Sequence, residues 1–492
     1  MIQEHLPVLQ VALPLVAAPL CLLLTRAMWA WLLALTVSLV ALGISIVLLR
    51  EVYTGEVISY AIGGWAAPWG IEYRVDAVNA FILIIVTAIS TVTLMFAKTS
   101  VAQEVASDKQ GLFYTAWLLC LTGLLGIAIT GDVFNLFVFL EISSLSSYVL
   151  IGLGQDRRAL TASFQYLIMG TIGATLILIG IGLLYMVTGT LNMMDLATRL
   201  AVLGDSRTVQ TALAFLTVGI GLKLALFPLH LWLPNAYTYA PSAVTVFLAA
   251  TATKVAVYML LRFLFQVFDA SFTFGAMPLG GFLAVLAAVG ILSTSTVSIF
   301  QDNIKRMLAY SSVAQVGYMV LGISLVSSAG LTAAVLHLFN HALMKGTLFL
   351  ALGCVAYRLG SVRLGAIAGL GQRMPWTMAA FLVGALSLIG IPLTAGFVSK
   401  WYLILAAVER GWWPLVVVVI AGSLLAIIYV WRVVEMAYLR PPPEKLSVTE
   451  APLSLLLPTW LLAGANVYFG IDTRFSVGMA GQAAALLTGS NG

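Results

Sequence analysis

The chain has 492 residues, 61% of them hydrophobic and 9% charged. Soluble domains carry about 25% charged residues, so a soluble fold is excluded. The net charge of +5 sits in short loops between apolar runs, where it reports membrane topology rather than a nucleic-acid surface.

The apolar runs are about 20 residues long, the length that crosses a bilayer as helix; a membrane barrel would show short alternating segments instead. The fold class is therefore an all-α polytopic membrane protein. The opening MIQEHLP has neither a basic stretch nor a small-residue cleavage site, so the first run reads as a retained span. Fourteen spans are predicted, at about 7–25, 29–49, 77–97, 112–130, 132–153, 161–187, 210–233, 242–266, 280–299, 304–325, 331–357, 377–408, 413–438 and 453–470. Cys21, Cys120 and Cys354 lie in or at the edge of these runs, without metal-ligand spacing or an evident disulfide partner.

Loop charges support the count. The loops after spans 1, 3, 5, 9, 11 and 13 carry Arg26, Lys98, Lys109, Arg157, Arg158, Lys305, Arg306, Arg358, Arg363, Arg373, Arg440 and Lys445. The opposite loops carry Glu51, Glu56, Glu72, Asp76, Asp195, Asp205, Asp269, Glu409 and Asp472. The basic side is expected to be cytoplasmic, which places both termini on the outer face of a prokaryotic inner membrane. The longest loop, about 50–76, contains GGWAAPWG and reads as a short structured turn; Pro441-Pro442-Pro443 reads as a stiff linker. The tail after about 471 carries no legible chemistry.

Spans 7 and 12 are interrupted. Span 7 reads GLKLALFPLHLWLPNAY, with Pro228 at the break; span 12 reads SLIGIPLTAGFVSKW, with Pro392 at the break. Proline in a helix interior removes a backbone hydrogen bond, and broken membrane helices survive where protein or a water-filled cavity satisfies the freed groups. Each interrupted helix is fourth in a set of five. Five is odd, so the sets enter the membrane from opposite sides, the inverted-repeat plan of many transporters. The expected organisation is an N-terminal three-helix segment (1–111), a first five-helix repeat (112–266), a second, inverted repeat (280–438), and a C-terminal helix with a short tail (453–492).

Ionisable residues inside the spans are the functional candidates. A charge near the bilayer centre costs roughly 2.5–3.5 kcal/mol on insertion scales. Glu141 stands in span 5 among Ser143, Ser144, Ser146 and Ser147; it is either a fixed ion-pair partner or a group that loads and releases a proton. Lys223 stands just before the first break and Lys254 mid-span in span 8, too deep to snorkel. His230, just past Pro228, is a relay group or a hydrogen-bonded residue of the break. His337, His341 and Lys345 fall at i, i+4 and i+8 and so share one helical face. Two histidines so spaced could hold a metal, yet zinc sites usually add a further acid or cysteine, and a proton wire is preferred because histidine titrates near neutral pH. Lys400 follows the second break. Asp132, Glu435, Arg262 and Arg432 read as interfacial anchors.

In combination, DVFNLFVFLEISSLSSYVLIG, GLKLALFPLHLWLPNAYTYAPS, DNIKRMLAYSSVAQVGYM, HLFNHALMKGTLFL and GIPLTAGFVSKW resemble the antiporter-like family shared by Mrp-type multisubunit cation/proton antiporters, proton-pumping subunits of respiratory complex I and membrane-bound hydrogenases, over about 70–440. The opening GGWAAPWGIEYRVDAVNAF and the length most resemble the Mrp D subunit, with the hydrogenase subunits still open. The resemblance implies that Glu141 and Lys223 form the coupling pair of a first half-channel, that Lys254 bridges the halves, that His337 and His341 form a central relay and that Lys400 is the terminal site of the second half-channel. Span 10 has no interior acid to match Glu141. The implied partners are the other subunits of a hetero-oligomeric membrane complex, protons, sodium and the lipid bilayer, without nucleic acid. No cofactor or metal is expected: no haem ligand, iron–sulfur cysteine set, dinucleotide fingerprint or P-loop is visible, so the chain reads as a transport subunit rather than an enzyme. The competing readings are a translocase module driven by a redox arm in other chains and a structural scaffold with vestigial charges.

Overall fold

A computed structural model describes residues 3–203, 206–442 and 448–489; Asp205, Pro443 and Lys445 lie outside them. The helices in chain order are α1 (Leu6–Leu23), α2 (Ala27–Val52), α3 (Ala77–Glu104), α4 (Gln110–Ile129), α5 (Val133–Gly152), α6 (Arg158–Thr188), α7 (Met193–Leu203), α8 (Arg207–Leu224), α9 (Trp232–Tyr239), α10 (Ser242–Ala250), α11 (Ala252–Arg262), α12 (Leu279–Ile299), α13 (Ile304–Ser324), α14 (Ser328–Leu359), α15 (Leu370–Arg373), α16 (Pro375–Ile389), α17 (Ala395–Glu409), α18 (Trp413–Val434), α19 (Leu453–Ile471) and α20 (Arg474–Thr488). Among the described residues, twelve helices are long and apolar enough to cross a membrane. Two further crossings are each built from two pieces, α8 with α9 and α16 with α17, which agrees with the fourteen spans expected.

The 32-residue α14 is the centre of the molecule. Its apolar window is buried throughout, whereas less than half of the corresponding windows of α1, α2, α6, α12, α18 and α19 is buried. Those six carry the outward apolar faces. Around α14 pack α3, α10, α13, α16, α17, α19 and α20. The tail helix α20 was not legible as a helix in the sequence; it lays Met479, Ala480, Ala483 and Ala484 against the core.

Both expected breaks are present. The first lies between Leu224 and Trp232, opening with Ala225 in the left-handed region (φ 59°). The second lies between Ile389 and Ala395, opening with Gly390 (φ 93°), where a side chain would be strained. A third discontinuity, not foreseen, divides span 8. Thr251 leaves helical geometry (φ −127°, ψ −58°) and separates α10 from α11, which runs on into a π-helical turn, Phe263–Val267. Neither proline nor glycine marks the site.

The 50–76 loop is a hairpin, β1 (Ile58–Ala61) antiparallel to β2 (Glu72–Val75), with Ile58 opposite Val75 and Ala61 opposite Glu72. It delivers Asp76 to the start of α3, where the carboxylate accepts from the Val78 and Asn79 amides, and Asn79 Oδ1 accepts from the Asp76 amide at 2.7 Å. Three placements correct the sequence reading. Asp76 is no loop acid and Arg262 no interfacial anchor: their side chains pair at 2.6 Å, 4% and 5% exposed. Lys305 is likewise buried, in the first turn of α13, donating to Ala240 O and Ser242 Oγ. Charges far apart in sequence find each other because the bundle interior offers them no water. Asp132 caps α5 through the Asn135 amide at 2.7 Å, and Arg432 spans to the end of α12 through Gln301 O at 3.2 Å.

The second break depends on close approach. A Cβ on Gly396 would stand 1.8 Å from the Ser387 carbonyl oxygen, while one on Gly365 would meet nothing within 4 Å. Gly396→Ala is expected to destabilise the protein by about 1–3 kcal/mol, the usual cost of overpacking, with Gly365→Ala near neutral, as read by thermal unfolding in detergent. In the same assay Asp76→Asn leaves the Arg262 guanidinium buried and unpaired. It is expected to cost about 3–5 kcal/mol, and the double replacement Asp76→Asn with Arg262→Met less than that.

Candidate functional site

Helix ends inside a bilayer leave carbonyls without intrahelical partners, and no water is at hand to take them. In this bundle the buried lysines take several. Lys400 Nζ donates to Leu388 O at 3.0 Å and Ile389 O at 2.9 Å, the last carbonyls of α16, and to Ser423 Oγ at 2.9 Å on α18. Lys254 Nζ donates to Ala249 O at the end of α10 and to Thr253 Oγ1 at 3.3 Å. A cation also suits the negative end of a helix dipole. The first break is arranged differently. There Trp232 Nε1 donates to Leu222 O at 3.0 Å, which leaves the neighbouring Lys223 free to turn towards α5.

Lys223 Nζ donates to Ser144 Oγ at 2.8 Å and stands 3.6 Å from Glu141 Oε1. The lysine side chain is 4% exposed and the glutamate 29%, so one partner is sealed and the other reaches the bundle edge. Ser143, Ser144, Ser147 and Tyr166 line with Lys223 a cavity of about 30 Å³. A water needs roughly 10–15 Å³ by this measure, so the cavity takes one or two.

The far wall of that cavity is α11, through Ala252, Val255, Ala256 and Met259. Lys254 lies about 200° around the same helix from Ala252, at 3.6 residues per turn, and therefore faces the other way. Its ammonium is within Coulombic range of His337, His341 and Lys345 on α14. The predicted residues thus fall into two groups. Glu141 and Lys223 form one, on the α5–α8 side. Lys254, His341, His337, Lys345 and Lys400 form the other, with α11 between the two.

Within the second group, the parallel His337 and His341 rings are 6.2 Å apart at their centroids. His337 Nδ1 meets Ser399 Oγ at 2.9 Å and Nε2 meets Gln315 Oε1 at 2.9 Å. Both nitrogens are thereby committed, and the pair is not poised to share a metal. Among the described residues, His341 is fully buried with no protein hydrogen bond at either ring nitrogen. Lys345 Nζ donates to Leu308 O at 2.8 Å and to Ser311 Oγ on α13. Lys400 stands over the Tyr318 ring, 4.9 Å from its centroid, and Tyr318 packs edge-on to His337 at 5.5 Å. His230 is not brought to either group: it stacks on Phe227 at 5.4 Å and faces the edge of Tyr310 at 6.4 Å.

Ser144, singled out in the sequence beside Glu141, is the hydroxyl that Lys223 reaches; the uncharged partners Thr253, Ser311, Gln315, Tyr318, Ser399 and Ser423 were missed. Their signal was polarity inside apolar spans, which singly is too common to select them.

The family model described as NADH:quinone oxidoreductase/Mrp antiporter, transmembrane, matches residues 130–426. The chain is 43% identical over 487 residues to the N subunit of an NADH-quinone oxidoreductase of Desulforudis audaxviator, covering 95% of this chain and 96% of that one. It is 32% identical over 398 residues to the D-type subunit of the Na(+)/H(+) antiporter of Alkalihalophilus pseudofirmus, covering 80% and 79%. Its fold matches a chain in the Mrp complex of Dietzia sp. DQ12-45-1b with a TM-score of 0.91 and 26% identity, over 100% of this chain and 98% of that one. With more than half of its length under the family model and near-complete coverage by a 43% identical relative, the chain belongs to the NADH:quinone oxidoreductase/Mrp antiporter transmembrane family.

Proposed function

We propose that the chain is the proton-translocating subunit of a multisubunit monovalent cation/proton antiporter, working with other subunits of a hetero-oligomeric membrane complex and without a redox centre of its own. The observation that carries this reading is the Glu141–Lys223 pair: a sealed lysine beside a helix break, 3.6 Å from a carboxylate that reaches the bundle edge. A buried ammonium releases its proton readily when its counter-charge leaves. Moving one proton therefore changes the hold on the next.

Beyond α11 the same logic runs through Lys254, His341, His337, Lys345 and Lys400. Lys254 is within Coulombic range of His337, His341 and Lys345, and Lys400 of His337, so the charge on one bears on the next. Sodium moving outward against inward protons is the exchange this family resemblance favours. His230 serves the turn at the first break rather than the relay. The two five-helix sets, 112–266 and 280–438, act as inverted half-channels. The lysine- and arginine-rich face is cytoplasmic, with both termini outside.

A second reading has an observation of its own. The 43% identity to a quinone-oxidoreductase subunit exceeds the 32% to an antiporter subunit, which favours a redox-driven complex as host. Both readings use the same row and differ in what drives it.

The test is proton movement by the assembled complex in vesicles. Glu141→Gln and Lys223→Ala are each expected to slow it by about a hundredfold, the scale of a dedicated proton-transfer group, while Glu435→Gln at the half-exposed Arg440 pair leaves it unchanged. Unaltered rates in the first two would remove the channel reading. A sodium gradient that drives proton movement without quinone turnover selects the antiporter; movement only during quinone turnover selects the redox host.

A further inference from the structure

The second group of buried charges lies close to one large opening. A cavity of about 460 Å³ opens on the lysine- and arginine-rich face, bounded by the ends of α3, α5, α9, α13 and α14. Every loop that borders it belongs to that face, and its wall is polar: Gln103, Asp156, Arg158 and Arg363 stand around the rim. At its floor sits a charged cluster outside the row already described. Glu104 Oε2 accepts from the Ser242 amide at 2.7 Å, and Oε1 from Ser100 Oγ at 2.6 Å. Lys305 Nζ donates to Ser242 Oγ at 3.1 Å and Ala240 O at 3.3 Å. Ser242 joins the two charges, and Lys305 is only 6% exposed although it lines the cavity.

What lies behind this floor gives the cluster its significance. Lys305 is in the first turn of α13, and Leu308 O and Ser311 Oγ on the same helix are the groups that hold Lys345 Nζ. Ser311 is six residues beyond Lys305, about 9 Å along a helix axis. Lys305 thus stands between the cavity on this face and the stretch of α13 that holds Lys345, the lysine of α14. Glu104 and Lys305, joined through Ser242, lie between this cavity on one side and the helix that holds Lys345 on the other.

We infer that Lys305 and Glu104 form the loading site through which the row on α14 exchanges protons with water on the basic face. The inference rests on the channel reading above. A proton leaves a hydronium in the vestibule for the neutral Lys305 amine, forming an N–H bond there. It then passes inward to the Lys345 amine, which Ser311 Oγ holds on the same helix, and Lys305 returns to its starting form. Glu104, on α3, supplies the counter-charge while Lys305 is protonated; Asp156, Arg158 and Arg363 face the same water from the rim. No co-reactant is required.

The experiment uses the assembled complex in vesicles, with proton movement measured for Lys305→Met, Glu104→Gln, Lys305→Arg and, in parallel, Glu141→Gln. Lys305→Met and Glu104→Gln are expected to slow movement by about tenfold or more, and Lys305→Arg to slow it likewise, because a guanidinium keeps its proton. Full rates in Lys305→Met and Glu104→Gln beside a silent Glu141→Gln overturn the loading site and leave the channel reading standing. Full rates in all of them overturn both. If Lys305→Met does not assemble, Ala356→Cys on the vestibule wall decides. A bulky membrane-impermeant thiosulfonate should stop movement when added from the basic face, and undiminished movement in fully labelled complex overturns the inference.

Discussion

A helix that stops inside the membrane leaves carbonyl groups that nothing in the lipid can satisfy, and the architecture follows from what takes them up. At two of three discontinuities the answer is a lysine. Lys400 holds the end of α16 and Lys254 the end of α10. The same ammonium groups are the ones within range of the α14 histidines. The break makes the ammonium tolerable, and the ammonium makes the break tolerable. At the first break an indole takes the carbonyl instead, through Trp232 to Leu222, and the adjacent lysine is released to pair with Glu141. That exchange of roles accounts for the chemical inequality of the two halves. One lysine has a carboxylate partner and the other has backbone oxygens.

The row is consequently not one continuous wire. Helix α11 presents small and apolar residues to the Lys223 cavity and its lysine to the opposite side. Among the described residues no direct hydrogen bond crosses it from Lys223 to Lys254. The Thr251 discontinuity sits next to Ala252 and Lys254, at the junction of the α10 and α11 pieces. The two pieces stay joined through the Thr251 amide to Phe247 O at 3.0 Å and the Val255 amide to Thr251 O at 3.1 Å.

Most of the scaffold was legible in the sequence because membrane physics is coarse: twenty apolar residues, a proline in the middle, a charge too costly to face lipid. Those rules placed the spans, the breaks at Pro228 and Pro392, and the shared face of His337, His341 and Lys345. They failed where the signal is tertiary. Thr251 carries no breaker residue, and its departure from helix is compensated by Lys254. Asp76 and Arg262 are 186 residues apart, and each alone looks like an interfacial charge. Lys305 stands beside Arg306 in what reads as a basic loop, yet one is buried and the other reaches Asn235. Helix α20 has too many small residues to announce a core face until α14 and α3 are there to receive it.

The central claim is that the broken helices hold their lysines around internal water rather than towards lipid. An electron-microscopy map of the assembled complex, at a resolution that reveals ordered solvent, tests it most directly. The account predicts water in the cavity bounded by Lys223, Ser144 and Tyr166, and further water at the His341 ring between α11 and α14. Dry density at both places, or Lys223 and Lys254 turned outward to the bilayer, would contradict it.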